Sequence, residues 1–299
     1  MIEVKGLTKK FGDFTAVKDL SMTVDDGSIY GLVGYNGAGK TTLLKMIAGV
    51  YKPDEGAAFI DGRNTYTDPE VRVNMFYVPD DIMFAAFSTI EKMAKFYAGY
   101  YPTFSYNTLD KLCDAFGLDK KAKLNSFSKG MQRQAEMILG MSVLPSVLLL
   151  DESFDGLDPQ KRSVMNRMLV DYVAERNCSV IISSHNLHEI SDICDRMALI
   201  NGKSIALDCG VDDIGSERCS FRMVFAREIS PEELSGVEVT KFKADGKIVT
   251  VSVKGNPDEA ELKLRQLEPV LIERFPLTIE ELFLEEMEDT DYDFKEIFA

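Results

Sequence analysis

The strongest constraint on this chain is a glycine-rich loop that separates a strand-like run from a helix-like run. The loop covers residues 34–41, follows the apolar run Ile29–Val33 and precedes the helix-like run 42–47. It fits the pattern G-x-x-x-x-G-K-[ST], in which glycines let backbone N–H groups point at phosphate oxygens. The helix that follows adds the positive end of its dipole. This succession predicts an α/β fold that binds a nucleoside triphosphate.

The loop supplies most of the predicted nucleotide-binding residues. The Lys40 ammonium is expected to bind the β- and γ-phosphates of ATP, and the Thr41 hydroxyl is expected to bind Mg²⁺. Backbone N–H groups of the neighbouring positions are expected to complete the phosphate contacts. The predicted set from this segment is Asn36, Gly37, Ala38, Gly39, Lys40, Thr41 and Thr42.

Two carboxylates, Asp151 and Glu152, follow the apolar run 147–150. A strand buried on both faces of an α/β sheet delivers its carboxyl end to the ligand crevice. Asp151 is expected to hold Mg²⁺, directly or through water, and Glu152 to orient and polarise the attacking water. Two acids at a strand end also suit a plain surface position. The phosphate loop upstream favours the catalytic interpretation.

The domain organisation follows from the alternation of apolar and helix-period segments. Residues 1–210 alternate strand-like and helix-like runs, which predicts an α/β domain with a mixed sheet core. Residues 80–140 show only helical spacing and indicate a helical insertion. Residues 211–287 predict a small α+β domain, and residues 288–299 form an acidic tail. Strands are expected at 2–7, 29–33, 57–60, 76–78, 147–150, 180–183, 197–200, 219–226, 237–243, 247–254 and 270–275, and late helices at 257–267 and 278–287.

Charge and hydropathy narrow the classes of partner. The formal net charge is -15, whereas a general nucleic-acid binder needs surplus lysine and arginine to neutralise phosphates, so no nucleic-acid partner is expected. No apolar run approaches the roughly 20 residues of a membrane helix. The N-terminus lacks a signal-peptide pattern. We therefore expect a cytoplasmic protein that reaches a membrane only through another chain.

Four further segments make the chain resemble the ATP-binding subunits of ABC transporters, in motif order and spacing from residue 2 to about residue 207. Ser128-Lys129-Gly130-Met131-Gln132 is similar to the family signature, and Asp158 stands at the acidic position of the D-loop. His185 is similar to the switch histidine that contacts the γ-phosphate. Phe11 stands where the family keeps an aromatic ring that stacks on adenine. Each of these segments also has a purely structural interpretation: Ser128 and Asp158 as helix caps, His185 as a structural histidine and Phe11 as a core aromatic residue.

The sequence departs from the family pattern at several of these positions. Asp80 replaces the glutamine of the Q-loop, so its shorter carboxylate is expected to reach Mg²⁺ or the attacking water through another water. Tyr35 replaces a common proline, and Phe127 and Met131 replace the leucine and glutamine of the signature. Arg133-Gln134 inverts the usual order. Because Ser128 and Gly130 are kept, ATPase activity is still expected.

The resemblance implies a subunit that hydrolyses ATP and drives a separate membrane permease, in the direction of export. Two such subunits, identical or different, would hold two ATP molecules head to tail. Ser128 and Gly130 of one subunit would then close on the γ-phosphate held by the other. The resemblance also places the protein at the inner face of the membrane through its permease.

The helical insertion is the expected docking surface for the permease. Six aromatic and apolar side chains of the insertion are expected to line a groove that binds a short helix of the permease. The alternative is that most of them form the core of the insertion. A soluble ABC ATPase acting on ribosomes or DNA is the alternative function. A non-catalytic subunit is disfavoured by Glu152 and His185. The groove set is Met83, Phe84, Phe87, Tyr97, Tyr100 and Tyr101.

Overall fold

The computed structural model describes residues 1–211, 218–278 and 281–283. The chain divides into two units, Met1–Asp208 and Cys209–Ala299. The acidic tail at 288–299 lies outside the described residues, as does most of the helix predicted at 278–287. Within the described ranges, no helix is long and apolar enough to cross a membrane.

The first unit contains ten strands and five α-helices among its described residues. Its strands are β1 (Ile2–Phe11), β2 (Phe14–Val24), β3 (Ile29–Val33), β4 (Glu55–Ile60), β5 (Arg63–Asn64), β6 (Met75–Val78), β7 (Val147–Asp151), β8 (Ser179–Ser184), β9 (Arg196–Asn201) and β10 (Ser204–Gly210), the last of which ends in the second unit. Its helices are α1 (Lys40–Ile47), α2 (Ile90–Ala98), α3 (Tyr106–Phe116), α4 (Lys129–Ser142) and α5 (Pro159–Arg176).

A six-stranded sheet in the order β10-β9-β3-β8-β7-β6 carries the site. The pairs β3–β8, β3–β9, β7–β8 and β6–β7 are parallel. Every residue of β3, β7 and β8 is buried, which explains why these strands appear in the sequence as continuous apolar runs. In register, Val33 lies opposite Ser184, and Asp151 lies opposite Ser183. The carboxyl ends of the three strands therefore meet at one edge.

A four-stranded sheet, β2-β1-β4-β5, lies beside the first. Its pairs are antiparallel, and β1 and β2 form a long hairpin in which Phe11 faces Phe14. The strand predicted at 2–7 is too short, because Lys9 and Lys10 interrupt the apolar pattern at the end of β1. Strand β2 was not predicted, because the charged and exposed residues Lys18 and Asp19 interrupt its own apolar pattern. Helix α1 packs Leu43, Leu44, Met46 and Ile47 into the core that both sheets share. Full burial of each such side chain contributes about 1.5–3 kcal/mol.

The helical insertion consists of α2, α3 and α4, and its helices begin at side-chain caps. Thr89, Ser105 and Ser128 each accept a hydrogen bond from a backbone N–H of the first turn, which satisfies groups that a helix start leaves open. Ile90, Ala94, Leu109, Cys113 and Leu139 form part of the insertion's own apolar core. This core fixes α4, the helix that carries the signature segment.

The second unit contains an antiparallel sheet of β11 (Arg218–Val224), β12 (Glu238–Asp245), β13 (Ile248–Lys254) and β14 (Leu271–Pro276), together with the helix α6 (Pro257–Arg265). The strand order is β12-β13-β11-β14. Phe221, Val251 and Leu264 are fully buried in its core. The predicted Asp245-Gly246 turn joins β12 and β13, with Gly246 at φ 58°.

Candidate functional site

The phosphate loop connects β3 to α1 and requires glycine at two of its positions. Gly39 has φ 111°, and a Cβ there would lie 2.6 Å from the Ala16 carbonyl oxygen. A Cβ on Gly34 would lie 2.7 Å from the Ile200 carbonyl oxygen. No side chain caps the first turn of α1, so its N–H groups are left to an anion. The local backbone is therefore shaped to receive phosphate.

Lys40 is held inside the loop by three oxygen atoms. Its Nζ donates to the carbonyl oxygens of Gly34 at 2.7 Å and Tyr35 at 3.3 Å. It also lies 3.1 Å from Glu152 Oε1, and the two side chains are only 5% and 10% exposed. An ammonium has three donors. A phosphate that enters the loop would therefore compete with Glu152 for this cation.

Asp151 is fully buried and joins four elements through its carboxylate. Its Oδ1 accepts hydrogen bonds from Thr41 Oγ1 at 3.1 Å and Ser183 Oγ at 2.7 Å. Its Oδ2 accepts one from the Tyr77 hydroxyl at 2.9 Å. Burial, and next the charge of Asp151, raise the pKa of Tyr77 above its usual range, so the hydroxyl stays protonated as a donor. Neither Tyr77 nor Ser183 is among the site residues predicted from the sequence.

The donors at this point fit Mg²⁺. Mg²⁺ prefers oxygen ligands, and it commonly takes one or two carboxylates together with substrate phosphates and waters. Thr41 Oγ1 and Asp151 Oδ1 lie together at the end of the phosphate loop. The described residues contain no cluster of three or more His, Cys, Asp or Glu side chains that would hold a metal by themselves. These donors therefore suit a Mg²⁺ site that is formed partly by the protein and partly by the phosphates of the nucleotide.

Glu152 follows β7 in a left-handed backbone conformation, with φ 47°. Its N–H donates to Ser183 Oγ at 3.1 Å, which fixes the turn. Its Oε2 lies 2.8 Å from His185 Nδ1 and accepts a hydrogen bond from the His185 backbone N–H at 3.3 Å. One carboxylate thus bridges Lys40 and His185. Strained backbone of this kind is typical of positions where a side chain must point at a reacting group.

A cleft of about 360 Å³ is lined by nine of the predicted residues. Phe11 is 46% exposed. Its ring and that of Tyr51 form a T-shaped pair with their centroids 5.6 Å apart. Phe14, which was not predicted as a site residue, is 55% exposed and also lines the cleft. Lys203 Nζ lies 4.7 Å from the centroid of its ring. The hairpin register of Phe11 and Phe14 is the signal that would have found it. The lining residues are Phe11, Phe14, Ala16, Asn36, Gly37, Gly39, Lys40, Thr41, Thr42, Asp80 and Glu152.

Six of the predicted residues are not among those that line this cleft. Two of them, Asp151 and His185, contact the lining residues Thr41 and Glu152. Ser128 caps α4 by accepting from the Met131 N–H at 3.3 Å, and a Cβ on Gly130 would lie 3.5 Å from Leu157. Asp158 caps α5 by accepting from the Lys161 N–H at 2.9 Å, and this bond lowers the pKa of its carboxyl. Ala38 is half-buried against the core.

A phosphate loop, a buried carboxylate pair and a histidine on this fold define a P-loop ATPase. The model for the family described as ABC transporter matches residues 17–155. The ABC transporter ATP-binding protein YtrB of Bacillus subtilis strain 168 is 29% identical over 95% of this chain and 97% of its own length. The Nod factor export ATP-binding protein I of Burkholderia lata is 31% identical over 85% of this chain and 90% of its own length.

Two further comparisons agree with these. The methionine import ATP-binding protein MetN 3 of Shouchella clausii is 28% identical over 93% of this chain and 85% of its own length. A solved ATP-binding subunit of an ABC transporter superposes with a TM-score of 0.66 at 27% identity, over 72% of this chain and 91% of that chain. The chain therefore belongs to the ABC transporter ATP-binding proteins, and it is the ATPase subunit of such a transporter.

Proposed function

We propose that this ATPase powers a separate membrane permease and that the transporter works in the direction of export. The direction follows from the resemblance of the motifs to exporter subunits; relatives named for export and for import both match, at 31% and 28% identity. The proposal that the chain hydrolyses ATP to drive transport is supported by one observation: Glu152 contacts both Lys40 and His185 beside the phosphate loop. A permease is the partner that converts this hydrolysis into transport.

The proposed catalytic roles follow from the contacts. Lys40 exchanges Glu152 for the β- and γ-phosphates of ATP, which frees the Glu152 carboxylate to orient and accept a proton from a water. The His185 side chain, 43% exposed, steadies that carboxylate and reaches the γ-phosphate. Thr41 and Asp151 would hold Mg²⁺, which would neutralise charge on the phosphate oxygens. Phe11 and Phe14 bind the adenine by stacking.

The proposed working unit is a head-to-tail dimer. The predicted signature residues Ser128 and Gly130 and the D-loop residue Asp158 stand outside the cleft of their own chain. Ser128 presents the N-terminal end of α4, a 14-residue helix, whose dipole favours negative charge. In the dimer this end closes on the γ-phosphate held by the other subunit, and hydrolysis removes the group that bridges the two halves.

The proposed permease-docking surface lies on the helical insertion, but only part of the expected groove is available. Met83, Phe87 and Tyr100 are 86%, 66% and 68% exposed. Tyr97 instead donates its hydroxyl to the buried Glu136 at 3.0 Å, and Tyr101 packs on Phe76. These two side chains are half-buried and pack against neighbouring side chains, so they do not form part of an open groove. Phe96, 53% exposed against Tyr100, takes their place in the proposed surface.

A docking variant tests this function. Tyr100→Glu places a charge on the proposed surface, and Tyr66→Glu places one on an aromatic residue that is also exposed but lies outside it. We expect only Tyr100→Glu to abolish co-purification with a membrane protein from detergent extracts, while ATP turnover of the isolated chain stays within about twofold. Co-purification of the unaltered chain with ribosomes or DNA, and with no membrane protein, would contradict the proposal.

A further inference from the structure

Asp80 lies between two cavities of the first unit. It lines the nucleotide cleft together with Lys40, Thr41 and Glu152. It also lines a neighbouring cavity of about 330 Å³, whose other walls include Lys129 of α4 and Gly156 before α5. One carboxylate thus borders both the ATP site and the helix that carries the signature segment. Any group that binds Asp80 connects the two regions.

Arg133, in the second turn of α4, is that group. Its Nη2 lies 2.8 Å from Asp80 Oδ1, and its Nη1 donates to the Pro79 carbonyl oxygen at 3.4 Å. The Arg133 side chain is 12% exposed, whereas that of Asp80 is 53% exposed. A planar guanidinium that binds a carboxylate and a neighbouring carbonyl fixes the direction of the loop as well as its charge.

The order of residues on α4 places this cation at Asp80. Consecutive helix residues point about 100° apart, and the next residue, Gln134, is 4% exposed. Exchanging the two residues would bury the guanidinium and turn an amide toward Asp80. Asp80 and Arg133, which both depart from the family pattern, therefore contact each other and fit each other chemically.

Strand β6 carries a second tie to the catalytic carboxylates. Tyr77, near its end, donates its hydroxyl to Asp151 Oδ2 at 2.9 Å. A continuous path then runs from Asp151 through Tyr77 and β6 to Asp80, and on through Arg133 to α4, whose N-cap is Ser128. Hydrogen-bonded side chains on packed elements are able to carry a displacement from one site to another.

We propose that Arg133 is a positioning residue that ties Asp80 to α4, so that nucleotide binding beside Asp80 and Asp151 reorients the signature end of that helix. The inference rests on the proposed function, because this movement matters only if Ser128 and Gly130 meet a nucleotide on another subunit. Since Asp80 is half exposed, the ion pair adds little to overall stability. The ion pair instead controls the orientation of α4.

The first test needs no nucleotide. Arg133→Gln should speed amide hydrogen exchange at Asp80 and Asp81 about fivefold in the ATP-free chain, without lowering Tm, and Arg133→Lys should restore part of the protection. The matched control is Lys120→Gln, which removes the Lys120–Asp110 ion pair of the same insertion, whose carboxylate is 55% exposed against 53% for Asp80. Equal exchange in Arg133→Gln and Lys120→Gln would overturn the tie.

The second test measures its consequence in the Glu152→Gln background. Arg133→Gln and Asp80→Asn should each raise the Mg-ATP concentration for half-maximal dimerisation about three- to tenfold, and the double variant should raise it no further. Effects that multiply in the double variant would overturn the proposal. If the Glu152→Gln parent binds ATP but never dimerises, the proposed function fails, whereas the exchange experiment still decides whether Arg133 holds Asp80.

Discussion

Tyr77→Phe is the most informative single substitution, because it removes one atom from the hydrogen-bonding shell of Asp151. The lost bond is the 2.9 Å contact from the Tyr77 hydroxyl to Asp151 Oδ2, while Oδ1 keeps Thr41 and Ser183. A hydrogen bond to a charged group contributes about 1.5–3 kcal/mol. Loss of a residue that orients a metal-binding carboxylate typically weakens metal affinity about 10- to 100-fold.

The assay is steady-state ATP hydrolysis as a function of free Mg²⁺. For Tyr77→Phe we expect the half-saturating Mg²⁺ concentration to rise about tenfold. Tyr97→Phe is a matched control, because Tyr97 is also half-buried and donates to a buried carboxylate, Glu136, at 3.0 Å. Both variants should lose about 1–3 kcal/mol of stability, but only Tyr77→Phe should change the Mg²⁺ requirement. Equal Mg²⁺ curves for the two variants would refute the role given to Tyr77.

Three further predictions follow from the same contacts. Glu152→Gln should keep ATP binding, because the phosphate loop is unchanged and Lys40 is still held by the Gly34 carbonyl oxygen. The variant should slow hydrolysis about 10²- to 10⁴-fold in a turnover assay. Unchanged turnover would exclude Glu152 as the base. Phe14→Ala should weaken ATP binding about three- to tenfold by calorimetry, with a smaller loss ruling out adenine contact. Burial raises the pKa of Glu136 to about 7 from 4.5. The folded state therefore binds the extra proton, and stability should fall by roughly 3 kcal/mol between about pH 4.5 and pH 7. The fall is measured as the difference between the unaltered chain and Glu136→Gln in denaturant titrations, and parallel pH curves would show that Glu136 ionises normally.

The sequence was most informative where one residue type is chemically required. Backbone contact with phosphate needs glycine at positions such as Gly39, where any Cβ would meet the Ala16 carbonyl. The strand before Asp151 is buried on both faces and therefore shows as an unbroken apolar run. The family and the fold class could be predicted from such segments. The boundaries of β1 and the existence of β2 could not, because charged residues on exposed positions hide the strand pattern.

The rest of the site depends on contacts between residues far apart in the chain. Tyr77 and Ser183 reach Asp151 only because β6, β7 and β8 are neighbours in one sheet. The Asp80–Arg133 pair joins a strand end to a helix of the insertion. No local pattern encodes such pairings, so they required the three-dimensional structure.

Whether ATP drives a head-to-tail dimer is decided by the solution mass of Glu152→Gln with and without Mg-ATP. We expect a monomer without nucleotide and a dimer with it. We also expect Ser128→Arg in the same background to abolish the shift, since a bulky cation at the cap of α4 would block the end that meets the partner's nucleotide. A chain that binds ATP yet stays monomeric, or a Ser128→Arg variant that dimerises as well as its parent, would rule out the proposed dimer.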